Sequence, residues 1–414
     1  MNRNVNDTSD NNKKIKVGIL GGTFDPIHNG HLMIAKEAMR EYALSKILLI
    51  PTGVSYMKKD VTDSFLRYEM VKLATLKMNG FEACDVEIKR EGNTYTCDTI
   101  AYFKEKHPEY ELYFIIGTDS LFSLEKWRNI EYIFNNCTIL CATRPGDGDE
   151  TALKSAEKSK AEELNHLYDA QIKFIHCNPM DISSTEIRAY RQSNPDSDLS
   201  NLELPKSVAE FILRQDLYNQ KIDEIHQLLK EDLKPKRLKH TFGVVETAVI
   251  LAEKWGCDVE KARLAALLHD CAKYLDTESK IALCAKYGVL MSDVESANPE
   301  LLHAKAGALL AYEKYNVSDC DILSAIYYHT TGKPNMSLLE QIIFVSDYIE
   351  PGRTHSDKLP LYRTIVMEDL NLVTAGILKD TVKYLKKQAD KKVIIDPLTQ
   401  ETYEFYKKFL NEKE

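Results

Sequence analysis

The feature that most constrains the fold is an apolar run that leads into a segment rich in glycine and histidine. Residues 15–31 read IKVGILGGTFDPIHNGH. The first six residues predict a short buried strand, and the pattern after residue 28 predicts a helix. Gly21 and Gly22 have no Cβ, so they let the backbone approach a bulky anion closely. His28 and His31 are three residues apart at the predicted helix start, where both can face one anion beside free N–H groups. The segment therefore predicts a strand, a phosphate-binding loop and a helix.

This segment differs from the two common nucleotide loops. It lacks the GxGxxG spacing of dinucleotide-binding folds, and no GKS or GKT follows as in a P-loop. A glycine turn with two surface histidines is the alternative interpretation. The coincidence of glycines and paired histidines directly after a strand favours the phosphate site.

With this motif the chain resembles the HxGH nucleotidylyltransferases, and further motifs narrow the resemblance to the nicotinate-nucleotide adenylyltransferases. These motifs are PTG at 51–53 with Lys58, Tyr95-Thr96, IIGTDS at 115–120 leading to Trp127, and ISSTEIR at 182–188. The resemblance covers about residues 15–218. It implies an α/β Rossmann-like domain that transfers AMP from ATP to nicotinate mononucleotide, giving nicotinate adenine dinucleotide and pyrophosphate.

The resemblance also implies roles for individual residues. The ATP phosphates would meet a set of loop residues and cations, together with Mg²⁺: Gly21, Gly22, Thr23, Phe24, His28, His31, Lys58, Ser184, Thr185 and Arg188. Trp127 would stack on the nicotinate ring, Thr96 would help to read the nicotinate carboxylate, and Asp119 would contact the ATP side. A mononucleotide phosphate is already mostly a dianion at pH 7, so we expect no general base and no side-chain nucleophile.

Two of these motifs have ordinary structural alternatives, and one departs from the family. Trp127 could be a core tryptophan, and residues 182–188 could be a capped surface helix. Family members often have Pro-Pro-His-Lys where this chain has Ser-Tyr-Met-Lys at 55–58, so one histidine is lost. Lys58 would then carry the phosphate contact alone or share it with Lys59.

The second half of the chain has a different character. A length of 414 residues predicts two or three domains. From Ile222 onward strand patterns disappear, and helical periodicity dominates in residues 244–255, 259–275 and 338–349. We therefore divide the chain into a disordered N-terminus at 1–14, a first domain at 15–218 and a second at 219–414. Within the first domain, the charged stretch at 153–168 has few apolar residues and predicts an exposed helical insertion.

Histidines and aspartates recur behind apolar runs of the helical half. They are His240, His269, Asp270, His303, His329 and Asp347. Ionisable groups at the ends of buried runs are costly to desolvate without a metal ion or another partner. Hydrogen bonding within a core explains any one of these residues, but the set as a whole predicts a metal centre.

Local motifs of this half resemble the HD-domain metal phosphohydrolases, in particular the bacterial enzymes that split diadenosine tetraphosphate symmetrically into two ADP. The motifs are LLHDCAK at 267–273, LLHA at 301–304, HTTG at 329–332 and DYIEPGR at 347–353, within a similarity over about 222–410. The resemblance implies an all-α HD-domain phosphohydrolase with two metal ions.

By the same resemblance the six residues divide between the two metal ions. One ion would be held by His240, His269, Asp270 and Asp347, and Asp270 would bridge to a second held by His303 and His329. Imidazoles and carboxylates together favour a transition metal, with iron as the first choice and manganese as the second. Lys273 and Arg353 would bind neighbouring phosphates, although exposed helix-end cations are the alternative.

Composition limits the partners of the chain. A net charge of −9 argues against nonspecific binding of nucleic acid or of an anionic membrane. The sequence contains neither an apolar span long enough for a membrane helix nor a signal core near its start. The nine cysteines form no CxxC pair, which favours reduced thiols in the cytoplasm.

We therefore expect a bifunctional cytoplasmic enzyme whose partners are ATP, nicotinate mononucleotide and a dinucleoside tetraphosphate, with neither nucleic acid nor membrane. Two alternatives stay open. The first half could transfer AMP to another phosphorylated acceptor, such as pantetheine phosphate. The second half could be a regulatory module that binds nucleotides without cleaving them. The sequence leaves the oligomeric state open.

Overall fold

The structure is a computed structural model, and it describes residues 14–53, 61–142, 150–177, 180, 182–387 and 395–410. Its internal contacts divide the chain into two compact units, Met1–Ile212 and Leu213–Glu414. The division lies a few residues before the boundary between 218 and 219 that we drew from the sequence.

The first unit is built on a six-stranded parallel sheet with the strand order β3-β2-β1-β4-β5-β6. The strands are β1 (Ile15–Gly22), β2 (Lys46–Pro51), β3 (Phe81–Ala83), β4 (Tyr110–Gly117), β5 (Cys137–Ala142) and β6 (Ile172–Ile175). The strand order reverses between β1 and β4, which pair from Ile15 opposite Tyr110 to Leu20 opposite Ile115. In open parallel sheets, ligands bind outside the carboxyl ends of the strands at such a reversal. The predicted α/β Rossmann-like fold is confirmed.

Helices cover both faces of this sheet, and for that reason its central strands are nearly continuous apolar runs. The helices before the division are α1 (Asn29–Tyr42), α2 (Ser64–Thr75), α3 (Thr96–Lys106), α4 (Thr118–Leu121), α5 (Ile130–Asn136), α6 (Glu150–Tyr168) and α7 (Ser184–Ser193), and α8 (Lys206–Gln215) contains the division itself. A 3₁₀ turn, Leu124–Lys126, lies between α4 and α5. Val17, Ile19 and Ile139 are completely buried in the core formed by the strands and the covering helices.

Helix α6 corrects the expectation of an exposed insertion at 153–168. Glu157, Ala161 and Leu164 are 1%, 8% and 0% exposed. They are four and three residues apart, so they share one face of the helix. The expectation was wrong because three inward positions among charged residues, one of them a glutamate, leave almost no hydrophobic pattern to detect. Helix α6 is therefore packed into the unit along one narrow face.

The second unit is all-α in the part that the structure describes, as predicted. Its helices are α9 (Gln220–Asp232), α10 (Pro235–Trp255), α11 (Val259–Leu268), α12 (Thr277–Lys286), α13 (Asp293–Ala297), α14 (His303–Tyr315), α15 (Cys320–Tyr328), α16 (Leu338–Ile349), α17 (Leu359–Ile365), α18 (Leu370–Lys387) and α19 (Pro397–Tyr406). Short 3₁₀ segments, Pro299–Leu302 and Lys407–Leu410, complete it.

Helix limits differ from the sequence periodicity at two places. Helix α10 begins at Pro235 rather than near 244, because proline is well suited to the first helical position. Helix α11 ends at Leu268 instead of continuing to 275. After α11 the backbone hydrogen bonds join residues three apart. The Cys271 N–H donates to the Leu268 carbonyl and the Lys273 N–H donates to the Asp270 carbonyl. The turns place His269 and Asp270 at the end of a buried helix.

Among the described helices, none combines the length and the apolar character that a membrane crossing requires. All nine cysteines are free thiols.

Candidate active sites

The phosphate loop runs from the carboxyl end of β1 to the start of α1, next to the strand reversal. His28 is the N-cap of α1, and its ring centre lies 3.8 Å from that of His31. The His28 backbone N–H donates to His31 Nδ1 at 3.3 Å. Because Nδ1 then acts as an acceptor, neutral His31 carries its proton on Nε2, where it can donate to a phosphate oxygen. The structure thus brings the two predicted histidines together.

Phe24 occupies the inside of this loop. It is 2% exposed, its φ of 50° is in the left-handed region, and its ring meets the His31 ring edge-on with centres 5.1 Å apart. A Cβ on Gly22 would lie 3.1 Å from the Phe24 ring, whereas a Cβ on Gly21 would make an ordinary contact with Phe114 at 3.4 Å. Phe24 therefore supports His31 from the core, and Gly22 leaves room for Phe24.

The start of α7 has the predicted cap. Ser183 Oγ accepts a bond from the Glu186 N–H at 3.2 Å, and the Glu186 carboxylate accepts one from the Ser183 N–H at 2.8 Å. This reciprocal capping box satisfies two backbone donors that the first helical turn would otherwise leave without partners. Ser183, directly before the first residue of α7, is thus the capping residue.

The N-terminal part of α7 is hydrogen-bonded to the phosphate loop. Ser184 Oγ donates to the Pro26 carbonyl at 2.9 Å, and Arg188 Nη1 donates to the Asp25 carbonyl at 2.7 Å. Arg188 Nη2 also donates to Thr185 Oγ1 at 3.3 Å. Two motifs far apart in the sequence, HxGH and ISSTEIR, therefore meet at one place in the first unit.

Thr96 and Trp127 belong to neighbouring segments. Thr96 is the first residue of α3, and Trp127 follows the 3₁₀ turn; both are half-buried. The guanidinium carbon of Arg128 lies 4.7 Å from the ring centre of Tyr95. The residues adjacent to Trp127 and Thr96 in the sequence are therefore in contact.

Asp119 lies at the start of α4, directly after β4, and is exposed. It is thus on the β4 side of the strand reversal. The preceding Thr118 donates its Oγ1 hydrogen to Glu157 Oε1 of α6 at 2.6 Å. Glu157 is a residue near this site that we missed from the sequence, because it lies among exposed charged residues.

Arg67 is a second residue that we missed, and it is 2% exposed. Its guanidinium donates to the carbonyls of Thr23 at 2.6 Å, Thr52 at 2.7 Å and Thr62 at 2.8 Å. It thus links the phosphate loop to residues on both sides of the segment that carries Lys58. Lys58 itself lies within 54–60, outside the described residues.

In the second unit all six predicted ligands lie close together. They form two groups, each with ligand atoms within 4.8 Å of one another: His240, His269 and Asp347, and Asp270, His303 and His329.

Asp270 lies between the two groups. Its Oδ2 is 3.4 Å from His269 Nε2 and 3.9 Å from His240 Nε2. Its Oδ1 is 3.4 Å from His303 Nε2 and 3.7 Å from His329 Nε2. Each carboxylate oxygen therefore faces a different group, which is the arrangement that a bridging ligand needs.

The histidine tautomers fit metal ions. Nδ1 of His269, His303 and His329 donates to the carbonyl three residues earlier, at 2.6, 2.6 and 2.7 Å. Because Nδ1 holds the proton, Nε2 keeps a lone pair. His303 Nε2 and His329 Nε2 are only 3.2 Å apart, and the buried Nε2 of His269 has no hydrogen-bond partner among the described residues. Facing lone pairs repel unless a cation lies near them, so the donor set fits metal binding.

The pKa shifts of two of the proposed ligands, Asp270 and His303, point the same way. Burial alone would raise the pKa of Asp270, but His269 and His329 oppose it and hold this pKa well below its ordinary value. Burial, together with the neighbouring His329, lowers the pKa of His303 to about 3. An ionised carboxylate and a neutral imidazole are the forms that bind metal ions.

Three cations border the metal-ligand groups. Arg237, which we missed from the sequence, donates to Asp270 Oδ2 at 2.7 Å. Arg353 donates to Asp347 Oδ1 at 2.6 Å, so it already holds a carboxylate. Burial lowers the pKa of Lys273, and its ammonium forms no hydrogen bond or ion pair with a described residue. Lys273 is therefore the cation of the three that is most available to a ligand.

Known proteins resemble each half of the chain. Residues 19–190 match the cytidylyltransferase-like family, and residues 237–352 match the HD domain. A probable nicotinate-nucleotide adenylyltransferase from Moorella thermoacetica is 39% identical over 218 residues, which are 51% of this chain and 95% of that protein. A probable nicotinate-nucleotide adenylyltransferase/Ap4A hydrolase from Mycoplasma genitalium is 29% identical over 380 residues, 90% of this chain and 98% of that protein.

A solved structure also resembles part of the chain. It is a predicted HD superfamily hydrolase involved in NAD metabolism from Clostridium acetobutylicum, with 42% sequence identity, a TM-score of 0.42, and coverage of 44% of this chain and 95% of that one. With the relative from Moorella matched over nearly its whole length and the HD domain matched at 237–352, the chain belongs to the nicotinate-nucleotide adenylyltransferase family and carries an HD domain in its second half.

Proposed function

We propose that the first half, residues 15–218, transfers AMP from ATP to nicotinate mononucleotide and releases pyrophosphate. The observation that carries this proposal is the junction of α7 with the phosphate loop through Ser184 and Arg188. It gathers the His28–His31 pair, a guanidinium and two helix N-termini beside the strand reversal, where α/β sheets bind nucleotides. Family membership supports the same reaction.

The proposed chemistry depends on positioning and on charge. The phosphate of nicotinate mononucleotide is mostly a dianion at pH 7 and attacks the α-phosphorus of ATP without a general base. His31 Nε2–H and the Arg188 guanidinium would hold the outer phosphates and stabilise the leaving pyrophosphate, with Lys58 as a further cation. Mg²⁺ supplies additional charge neutralisation when bound.

The segments around α3 and the 3₁₀ turn would recognise the acceptor, nicotinate mononucleotide. Trp127 would stack on the nicotinate ring and Thr96 would bind its carboxylate, while Asp119 would contact the ATP side together with the glycines of the loop. The contact between Arg128 and Tyr95 supports placing Trp127 and Thr96 around one ligand.

An acceptor assay tests this proposal. With Mg²⁺, ATP and nicotinate mononucleotide, the full chain should release pyrophosphate, and the nicotinamide analogue should react more slowly because the site is built for a carboxylate. Equal or faster use of the amide, or preference for pantetheine phosphate, would contradict the assignment.

We further propose that the second half, residues 219–414, is a two-metal phosphohydrolase that splits a dinucleoside tetraphosphate into two nucleoside diphosphates. Two bound metal ions would activate water and neutralise phosphate charge, with iron as the first choice of metal and manganese as the second. Asp270 would bridge the two ligand groups, Arg237 and Arg353 would hold the carboxylates of Asp270 and Asp347, and Lys273 would bind a substrate phosphate. The observation that carries this proposal is that the two carboxylate oxygens of Asp270 face different groups of ligands.

Metal analysis combined with hydrolysis tests the second half. The full chain should hold about two transition-metal ions, as expected for two groups of ligands, and should form two ADP from diadenosine tetraphosphate. Asp270→Ala should lose both metal and hydrolysis, and an unchanged metal content in that variant would contradict the bridging role. The free cysteines support the further proposal that the chain works in the reducing cytoplasm.

A further inference from the structure

His240 differs from the other three histidines in its place in the fold. His269, His303 and His329 lie at helix ends and donate Nδ1–H to a backbone carbonyl. His240 lies inside α10, where the carbonyls of the preceding turn accept N–H groups of the helix itself. Its Nδ1 therefore needs an acceptor from outside the helix.

The acceptor is Glu350, in the turn that follows α16. Glu350 is 4% exposed, and its Oε1 lies 3.1 Å from His240 Nδ1. Its Oε2 accepts the N–H of Gly352 at 2.5 Å. The two carboxylate oxygens thus serve two different donors, and the side chain is held at both.

Two further features fix the position of this carboxylate. Arg363 donates to the carbonyls of Ile349 and Glu350, both at 2.7 Å, and so holds the backbone of the turn. A Cβ on Gly243 would lie 2.5 Å from Glu350 Oε2. Gly243 is three residues after His240 on the same face of α10, and glycine is unfavourable inside a helix unless space requires it. The helix is therefore shaped to receive Glu350 beside His240.

We propose that Glu350 is a positioning residue that orients the His240 ring and thereby sets the metal affinity of the group formed by His240, His269 and Asp347. The inference rests on the proposed two-metal function. A carboxylate that accepts Nδ1–H fixes the tautomer with a free Nε2 and makes that nitrogen a more basic ligand. Gly243 has an indirect part, because it keeps open the space that the carboxylate occupies.

The test measures metal binding by the full chain rather than its activity. Metal-free protein is titrated with Co²⁺, whose visible absorption reports the ligand geometry, and bound metal is counted. Glu350→Ala should weaken one of two ions about 10- to 100-fold. The other ion should lose less affinity, because the change reaches it only through Asp270, which faces both groups.

Two companion variants and a control sharpen the test. Glu350→Gln should also lose metal affinity, because one amide oxygen cannot accept from both His240 and Gly352. The loss should be smaller than in Glu350→Ala, because one acceptor remains. Gly243→Ala should weaken the same ion although it removes no acceptor, since its Cβ displaces the carboxylate. Glu253→Ala, at an exposed position of the same helix, should bind both ions like wild type.

The outcomes separate this inference from the proposed function. If wild type binds no Co²⁺, the two-metal function fails and the inference falls with it. If wild type binds two ions and either Glu350 variant binds both with wild-type affinity, the positioning role is overturned while the function stands. Melting in chelator identifies a variant that fails to fold, and the remaining Glu350 variant then decides.

Discussion

Arg67 demonstrates how one buried side chain can hold a ligand loop in place. A guanidinium presents its donors in a rigid fork, and here that fork reaches the carbonyls of Thr23, Thr52 and Thr62. A lysine ammonium is a single point on a flexible stem and cannot span the same three segments. The charge is therefore less important at this position than the shape of the donor group.

Arg67→Lys should lower the free energy of unfolding of the first unit by about 1–3 kcal/mol for each buried carbonyl left without a donor. It should also raise KM for ATP, because Thr23 belongs to the phosphate loop. Urea unfolding and initial-rate kinetics measure the two effects. Arg40→Lys is the control, since Arg40 is exposed and its change should stay within about 0.5 kcal/mol. Equal losses in the two variants would contradict the linking role.

His31→Ala should reduce kcat of adenylyl transfer about 100-fold, the usual effect of removing one donor that stabilises developing charge. The half-buried ring should leave the fold intact, which circular dichroism checks. His166→Ala, at an exposed position of α6, should retain wild-type turnover. A near-normal rate for His31→Ala would remove this residue from the site.

At the scale of elements, the second unit repeats one local sequence pattern that ends in a histidine. Two apolar or aromatic residues precede a histidine at 267–269, 301–303 and 327–329, and each histidine bonds to the carbonyl three residues earlier. The short apolar run buries the helix end, and the histidine then turns Nε2 inward. This is why the motifs of the sequence pointed so directly to the proposed ligands.

The partners of those ligands could not be predicted in the same way. Arg237 and Asp270 are 33 residues apart, and His240 and Glu350 are 110 apart. No local pattern encodes such a pairing, because it depends on where the helices cross. The same limit applies to Glu157 and Arg67, whose polar side chains look like surface residues until the packing around them is known. The α/β class of the first unit, by contrast, was predicted from the strand, loop and helix pattern at 15–31 and from the family resemblance of its motifs.

The capping box of α7 gives a prediction at this scale. Ser183→Ala should cost about 1 kcal/mol of stability. It should also raise KM for ATP, because Ser184 and Arg188, near the start of the same helix, contact the phosphate loop. Ser292→Ala removes an equivalent capping box from α13 and should leave adenylyl transfer unchanged. An equal KM for Ser183→Ala and wild type would show that the cap does not position α7.

At the scale of the whole molecule, each candidate site draws its described residues from one unit only. The expected product of the first half has a two-phosphate bridge, whereas the second half is proposed to cut a four-phosphate bridge. We therefore expect no passage of product from one half to the other. His31→Ala should spare tetraphosphate hydrolysis, and Asp270→Ala should spare adenylyl transfer, each within about twofold. Loss of both activities in either folded variant would reveal coupling between the halves.

In the absence of ATP, metal removal should act on the second unit alone, because Mg²⁺ is proposed to join the first unit only together with ATP. A ligand that binds only the folded state stabilises it by about 2.7 kcal/mol at 100 times its dissociation constant. Chelation should therefore lower the melting temperature of the second unit, while a transition assigned to the first unit by its response to ATP stays in place. A chelator effect on the ATP-responsive transition would contradict this expectation.

The hydrogen bonds between α7 and the phosphate loop also have a consequence for the protein during its synthesis. They join residues 158 and 163 positions apart in the chain. Contacts of such long sequence separation form late, because the chain between them must first be ordered. On the ribosome, residues 21–31 emerge long before 182–188, so a growing chain has half a phosphate site for most of its synthesis. Tight binding of ATP therefore requires a completely synthesised first unit. A nascent or truncated chain would not bind cellular ATP tightly.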